Sequence, residues 1–256
     1  MNGAYLLFII LLSSSISGCT DEVENEEDMS GADLSYANMS DRDLSHFNLS
    51  AANLTGANLN YANLTGADLS SANLTDANLR GAGLGGANLK YTWLTGADLT
   101  GANLRYAVLS VAWLNGANLT GADLTGASLN NANLYDADLT DADLTYAYLY
   151  YATLYDADLT YAILNDAYLT GADLRHSTLY FADLSNTNLS GADLSNTNLS
   201  NADLRSADLA DANLTGADLT GANLNYANLS GTIWYGTICP DGTNSDDNGN
   251  TCVNNL

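Results

Sequence analysis

Leucine returns at every fifth residue through most of this chain. Counting by fives from Leu34 to Leu229 gives 40 positions, of which 39 are Leu and one is Met39. Two residues before these positions, 34 of the 40 residues are Ala; one residue before, 30 are Asp or Asn. The two residues that follow are mostly small or polar. No insertion interrupts the count, so the chain is built from a repeat of five residues.

A period of five suits neither an α-helix nor a flat strand. On a helix, five residues turn the chain through about 500°, so successive Leu side chains would encircle the axis and leave no apolar stripe. In a strand, an odd spacing puts successive Leu side chains on opposite faces. The chain must therefore turn a corner within every pentad. The Asx, Ser, Thr and Gly residues suit tight turns, and the small Ala beside each Leu fits a narrow interior.

The motif Ala-(Asp/Asn)-Leu-X-X resembles that of pentapeptide-repeat proteins over about 200 of the 256 residues. The resemblance implies an all-β fold, a right-handed quadrilateral parallel β-helix with four pentads per coil and with Leu and Ala pointing inward. Forty pentads make about ten coils, which at about 4.8 Å between stacked strands form a rod of about 48 Å. Arg42 and Phe47 occupy inward positions near the start, so we expect an irregular first coil with Phe47 closing its open end.

The chain begins with a segment typical of exported proteins. Residues 1–18 carry no charge and include an apolar run of eight residues. That run is too short for a membrane-spanning helix, which needs about 20 residues, but it suits a signal peptide. The following Ile-Ser-Gly-Cys resembles the lipobox of bacterial and archaeal lipoproteins, although no Lys or Arg precedes the apolar run. The resemblance implies lipidation of Cys19 and anchoring to the outer side of a cell membrane. A plain cleaved signal and a cytosolic apolar tail are the alternatives.

Residues 19–30 are predicted to be an acidic tether. This segment contains all four Glu residues of the chain and has few apolar side chains that could pack. After a lipid-modified Cys19 it would lift the domain away from the membrane, and as a frayed terminus it would be equally flexible. The repeat domain follows over residues 31–230.

Residues 231–256 break the period and are predicted to cap the C-terminal end of the solenoid, where unpaired strand edges would otherwise be exposed. We expect Ile233, Trp234 and Ile238 to cover the last coil. In an exported protein, Cys239 and Cys252 are expected to form a disulfide around a turn-rich loop.

The loop between these two cysteines partly matches the start of a calcium-binding loop. The matching residues are Asn244, Asp246, Asn248 and Gly249. Position 255 is Asn where an acidic ligand is expected, so a simple turn is the preferred interpretation.

Composition and charge narrow the possible functions. The chain has 30 acidic and six basic residues, a formal net charge of −24. This argues against direct nucleic-acid binding, because phosphate contacts need Lys and Arg. Three Cys and two His leave little material for a zinc cluster or a catalytic triad, and His46 and His176 lie far apart in the free positions of the repeat. We therefore expect no enzyme, no catalytic residues, no cofactor and no metal site.

With four pentads per coil, residues twenty apart stack on one side of the rod. The Asp and Asn before Leu give way to large side chains mainly on two adjacent columns, which predicts a candidate contact face on its outside. Its residues are Tyr91, Trp93, Val108, Val111, Trp113, Tyr148, Tyr150, Tyr151 and Tyr168. Exposed apolar patches mark interaction sites, and Trp and Tyr are favoured anchors. The alternative is that stacked aromatic rings only stiffen the sheet.

The sequence therefore predicts a non-enzymatic, lipid-anchored rod, a structural or interaction module with an unknown protein partner in the cell envelope or extracellular space. Its oligomeric state is left open. One alternative is binding of divalent cations along the Asp columns, for which no ligand spacing is evident.

The other alternative comes from the family resemblance, because some pentapeptide-repeat proteins are acidic DNA mimics that bind type II topoisomerases. Residues 31–230 contain 21 Asp and six basic residues, a net charge of 6 − 21 = −15. Over the length of the rod this is about one charge per 3 Å, against one per about 1.7 Å in duplex DNA. The export signal and the disulfide cap argue against this alternative.

Overall fold

The backbone forms a four-sided coil held by single β-bridges. The computed structural model describes residues 28–253, so the predicted signal peptide and Cys19 lie outside the described residues. Each residue that precedes an inward Leu pairs in parallel with the residue twenty positions later, from Asp28 with Asn48 to Asp218 with Ile238. Four pentads thus make one coil, and the all-β, right-handed quadrilateral β-helix is confirmed. Ser245–Asn248 forms a short 3-10 helix in the C-terminal loop.

Four columns of bridge residues define the faces of the rod. Face 1 runs from Asp33 to Ile233, face 2 from Asn38 to Ile238, face 3 from Asp43 to Asn223, and face 4 from Asp28 to Asn228. Face 4 of each coil is followed along the chain by face 1 of the next, so these two faces share an edge. Bridge side chains point outward, whereas the Leu and Ala on either side of them point into a continuous core.

Each position of the pentad has a local reason. In a central pentad, Asn118 Oδ1 accepts hydrogen bonds from the N–H of Thr120 (2.9 Å) and from its hydroxyl (2.7 Å), an Asx turn that starts the corner. The N–H of Ala122 then donates to the carbonyl of Leu119 at 2.9 Å, with Gly121 at φ +63°. A positive φ at the third residue is characteristic of a type II turn and favours Gly.

Hydroxyl residues in the Ala positions are also accommodated. Thr92, Thr187 and Thr197 point inward, and each hydroxyl donates at 2.8 Å to a Leu carbonyl of the preceding coil. Ser177 donates to the carbonyl of Leu174 at 2.6 Å. A buried hydroxyl without an acceptor would cost about 1–3 kcal/mol. Within residues 28–253 no buried side-chain nitrogen or oxygen lacks a partner, which explains why these exceptions do not disturb the coil.

Many corners carry a non-glycine residue in the left-handed region, and Val111 (φ +61°) and Asn131 (φ +57°) occupy the same corner of successive coils. A β-branched side chain is disfavoured there, whereas Asn tolerates it. We expect Val111→Gly to raise the free energy of unfolding by about 1 kcal/mol. Urea denaturation of Val111→Gly and of the matched variant Asn131→Gly checks this. Equal changes in the two variants would contradict the strain assigned to Val111.

The expectation of an irregular first coil is wrong. All its bridge residues pair with residues twenty positions later, beginning with Asp28 and Asn48. The N–H groups of Arg42 and Phe47 make the usual turn hydrogen bonds, at 3.3 and 3.2 Å. No coil lies beyond this one among the described residues, so side chains larger than Ala find room without displacing the backbone. Phe47 is half-buried and packs against the core.

The coil geometry continues past residue 230. Ile233 and Ile238 occupy bridge positions and are 52% and 37% exposed, so they do not cover the last coil as expected. Bridge side chains point outward, which is the physical reason. Trp234 and Cys239 take the next two Leu positions and are 4% and 0% exposed. Cys239 forms a disulfide with Cys252, so the last coil is closed by one ring and one crosslink.

Candidate interaction surface

The predicted contact face is divided into two groups of side chains. The tryptophan group comprises Tyr91, Trp93, Val108, Val111 and Trp113, and the tyrosine group comprises Tyr148, Tyr150, Tyr151 and Tyr168. A polar coil separates them. On face 4, Ser128 lies between Val108 and Tyr148; on face 1, Asn133 follows Trp113. The structure therefore brings the members of each group together but does not join the groups.

The rings of the tyrosine group pack mainly on one another. Tyr148 and Tyr168 stack with centroids 5.1 Å apart and planes 4° apart. Tyr150 lies 6.3 Å from Tyr148 and 5.8 Å from Tyr168, and burial among these groups raises its pKa. Tyr151 stands apart at the corner and is exposed. This geometry favours the interpretation that stacked rings stabilise neighbouring coils.

The two Trp side chains of the tryptophan group have no such ring partner. Trp93 and Trp113 are neighbours on face 1, 55% and 50% exposed, and neither contacts another aromatic ring among the described residues. They stand where the repeat has Asp or Asn, so the turns that follow lose their Asx acceptor. They line an open concavity of about 600 Å³. Its other lining residues are Thr75, Thr95, Asn115, Asn133 and Tyr135.

Sequence reasoning missed the aromatic residues at the corner between faces 1 and 2. Tyr135 stacks on Tyr155 with centroids 5.7 Å apart, and the guanidinium of Arg175 lies 5.3 Å from the Tyr155 ring centroid. Tyr135 and Tyr155 occupy the first free position after Leu at the corner that follows face 1. The free-position residues of the predicted contact face all lie at the corner that follows face 4, namely Tyr91, Val111, Tyr150 and Tyr151. The sequence does contain the information needed to predict this column. Tyr135 and Tyr155 are twenty residues apart, in the same column as Thr95 and Asn115.

Carboxylates are concentrated on the other two faces. Face 2 carries Asp98, Asp138, Asp158 and Asp218, and face 3 carries Asp43, Asp123, Asp143, Asp183 and Asp203. On face 1 every bridge residue between Asp33 and Asp173 is uncharged, and on face 4 the same holds between Asp68 and Asp208. The bridge positions around the tryptophan group are therefore uncharged on two adjoining faces of an acidic rod, and the nearest charged side chains, Lys90, Asp76 and Asp136, lie at the corners beside them.

Hydrogen bonds hold several Asp side chains in the ionised form. The Asp173 carboxylate accepts hydrogen bonds from Arg175 Nε and Nη2, each at 2.7 Å, and these bonds lower the pKa of Asp173. Hydrogen bonds from Arg205 lower the pKa of Asp203 in the same way. Partial burial alone would raise the pKa of Asp138. The Thr140 hydroxyl and N–H, with the Thr120 hydroxyl, outweigh that burial and lower it.

Acid is expected to destabilise the rod. The folded pKa of Asp138, Asp173 and Asp203 lies below its usual value near 3.9, so the unfolded chain binds more protons in this range. Their contribution is present above about pH 4 and is lost as the pH falls through the folded pKa values. Urea denaturation at pH 7, 4 and 3 checks this, with Arg175→Gln expected to reduce the dependence on pH. A free energy of unfolding that rises below pH 4 would show that relief of charge repulsion dominates instead.

The side chains of the calcium-like loop hold the C-terminal cap together. Asn244 Oδ1 accepts from the N–H of Asp246 (2.9 Å), and Asp246 Oδ1 accepts from the N–H of Gly236 (2.8 Å). Asn248 Nδ2 donates to Thr243 Oγ1 at 2.9 Å. Across residues 28–253, no three His, Cys, Asp or Glu side chains are grouped so that they could hold a metal ion. No helix in this part of the chain is both long and apolar enough to cross a membrane.

Comparison with known proteins agrees with the repeat. The sequence profile described as Pentapeptide repeats matches residues 48–86, 82–121, 117–154, 152–191, 187–225 and 197–233. The chain belongs to the pentapeptide-repeat family. Proteins of this family are in general structural or interaction modules rather than enzymes, and no catalytic family is indicated for this chain. Among curated proteins none matches it.

Solved structures of the family include similar rods. HetL from the cyanobacterium Nostoc sp. strain PCC 7120, a protein involved in regulating heterocyst differentiation, is 37% identical, with a TM-score of 0.52 over 86% of this chain and 94% of HetL. QnrB1, a plasmid-mediated fluoroquinolone resistance protein, is 21% identical over 72% of this chain and 92% of its own, with a TM-score of 0.45. A protein of the Arabidopsis thaliana thylakoid lumen is 31% identical over 43% and 69%, with a TM-score of 0.21.

Proposed function

We propose that this chain is an exported, lipid-anchored rod that acts as an interaction module in the cell envelope, with Cys19 carrying the lipid. Of the predicted tether, residues 19–30, only residues 19–27 can serve as a spacer, because Asp28 already pairs with Asn48 in the first coil. The observation that carries the interaction role is the pair Trp93 and Trp113, which stand half-exposed and without ring partners among uncharged bridge residues. Exposed aromatic anchors of this kind are typical of recognition sites. The net charge of −24 keeps such a rod soluble through self-repulsion.

Export is supported by two independent features. The Ile-Ser-Gly-Cys sequence that ends at Cys19 resembles a lipobox. The disulfide between Cys239 and Cys252 suits an oxidising compartment, because disulfides rarely persist in the cytosol.

Mass spectrometry of the mature N-terminus, in membrane and soluble fractions, tests the anchor. We expect a chain that begins at a diacylglyceryl-modified Cys19 in the membrane fraction. Replacing Cys19 by Ser should release the protein from that fraction while leaving the rod folded. An unprocessed chain that begins at Met1 in the soluble cytosolic fraction would overturn the proposal of export.

The Asp side chains of faces 2 and 3 favour a second candidate, mimicry of duplex DNA toward a type II topoisomerase. This role requires a cytosolic protein, so it competes with the anchored rod. A gyrase supercoiling assay with the purified repeat protein separates the two candidates. Inhibition, or protection from a quinolone at micromolar protein, would favour mimicry; no effect would remove it.

A further inference from the structure

We infer that the concavity beside Trp93 and Trp113 binds a neutral glycan chain. This inference rests on the proposed role of the rod as an interaction module and names the chemistry of its ligand. A sugar ring offers a flat face of C–H groups, which packs on an aromatic ring, and a rim of hydroxyls, which need hydrogen-bond partners. The concavity provides both kinds of contact and no ionised group among its lining residues.

The aromatic part of the site consists of three rings from successive coils. Trp93 and Trp113 are half-exposed neighbours on face 1, and Tyr135 lies one coil further on at the adjoining corner, 45% exposed. Tyr155 follows in the next coil, stacked on Tyr135. Successive coils are about 4.8 Å apart. A linear glycan lying along the rod axis would therefore meet an aromatic side chain at each coil it crosses.

Amide groups beside the rings supply hydrogen-bond donors. Asn115 Oδ1 accepts from the Thr95 hydroxyl at 3.1 Å, and Asn133 Oδ1 accepts from the N–H of Tyr135 at 3.0 Å. Neither Nδ2 group donates to another described residue. Elsewhere an Asn of the repeat donates from Nδ2 to an Asp twenty residues earlier, as Asn88 does to Asp68 at 3.0 Å. Asn133 has Trp113 at that place, which leaves its Nδ2 available to a sugar hydroxyl.

The distribution of charge on the rod favours a neutral ligand at the concavity. A polyanion, such as a nucleic acid or an acidic polysaccharide, would be repelled by a rod of net charge −24. A cationic partner would be attracted to the Asp columns of faces 2 and 3 rather than to faces 1 and 4. Lys90 is the basic residue nearest in sequence to Trp93. Its ammonium lies 4.9 Å from the ring centroid of Tyr91, at the corner between faces 4 and 1. The lining residues of the concavity are themselves uncharged, so an uncharged ligand with many hydroxyls fits them.

The test is a titration of the purified repeat protein with neutral hexasaccharides, namely cellohexaose, chitohexaose and mannohexaose, followed by calorimetry and by tryptophan fluorescence. The double variant Trp93→Asn and Trp113→Asn introduces the residue that the repeat itself uses, so the rings are removed and the Asx turns restored. We expect at least one neutral hexasaccharide to bind and to shift the fluorescence, and the double variant to bind at least tenfold more weakly. The anionic hexasaccharide of galacturonic acid should not bind.

Two further variants act as controls for the place of the site. Tyr148→Asn alters the tyrosine group and should leave binding unchanged. Deleting the pentad 101–105 keeps both Trp residues and the inward Leu pattern but moves Trp113 onto face 4, so it should weaken binding as much as the double variant does. Circular dichroism confirms that each variant remains folded. Unchanged binding in the double variant would overturn the assignment of the site.

The experiments distinguish failure of the glycan-binding inference from failure of the proposed interaction role. If none of the neutral hexasaccharides binds at millimolar concentration, the inference is wrong. Crosslinking in membrane fractions, with wild type and the double variant, then tests the wider proposal. A protein partner captured only by the wild type would leave the interaction role standing with a different ligand. No difference between the two would remove both.

Discussion

Deleting the single residue Thr120 is expected to disrupt the rod far more than deleting the whole pentad 116–120. Loss of one residue shortens one side of a coil, so the Leu residues that flank it, Leu119 and Leu124, can no longer both reach the interior. Burial of each Leu contributes about 1.5–3 kcal/mol, and the bridges on both sides of the defect are lost as well. We therefore expect a loss of at least about 3 kcal/mol and a break between the two halves of the solenoid, since each coil contacts only its neighbours.

Loss of the pentad has a different consequence. Every later residue moves by one face, but each Leu still points inward and each corner keeps its turn. Thermal unfolding followed by circular dichroism distinguishes the two deletions. We expect a single transition close to that of the wild type for the pentad deletion, and a lower or divided transition for the deletion of Thr120. Similar curves for the two variants would show that the period of five is not the unit that the core requires.

The second large effect is expected from Leu124→Ala in the middle of the rod. Leu124 is 0% exposed, and Leu104 and Leu144 occupy the same position in the coils before and after it. The backbone on all four sides is tied to neighbouring coils, so the cavity cannot collapse. We expect the free energy of unfolding to fall by about 2–5 kcal/mol, as measured by urea denaturation.

Leu34→Ala is the matched control for this prediction. Leu34 lies in the first coil and is also almost fully buried, at 3% exposed, but described residues pack on it from only one direction along the rod. The end of the rod can relax around the smaller side chain, so we expect the loss to be less than half of that for Leu124→Ala. An equal or greater loss at Leu34 would show that position along the rod does not set the cost of a cavity.

The residues at the two ends of the rod show how local sequence and tertiary structure differ in what they determine. Arg42 and Phe47 break the sequence pattern, yet their coil is regular, because an open end has room for larger side chains. Ile233 and Ile238 resemble covering residues in the sequence, yet they point outward because the bridge geometry continues to residue 238. In both places the turns and bridges of the backbone are regular, and the direction and surroundings of each side chain follow from that regular backbone.

The sequence by itself determined the coil. Most pentads carry their own Asx turn, their own left-handed corner and their own pair of inward apolar side chains, so the fold follows from short-range chemistry repeated along the chain. The spacing of twenty residues per coil also predicts which aromatic residues of the contact face lie in the same column. That information is local, or periodic, and can be read without the structure.

Only the tertiary structure decided which of those side chains have partners. Tyr148 and Tyr168 stack on each other, whereas Trp93 and Trp113, which are likewise twenty residues apart, stand without ring contacts. Whether two rings on one column stack depends on rotamers and on the neighbours that support them, and a repeat pattern does not encode either.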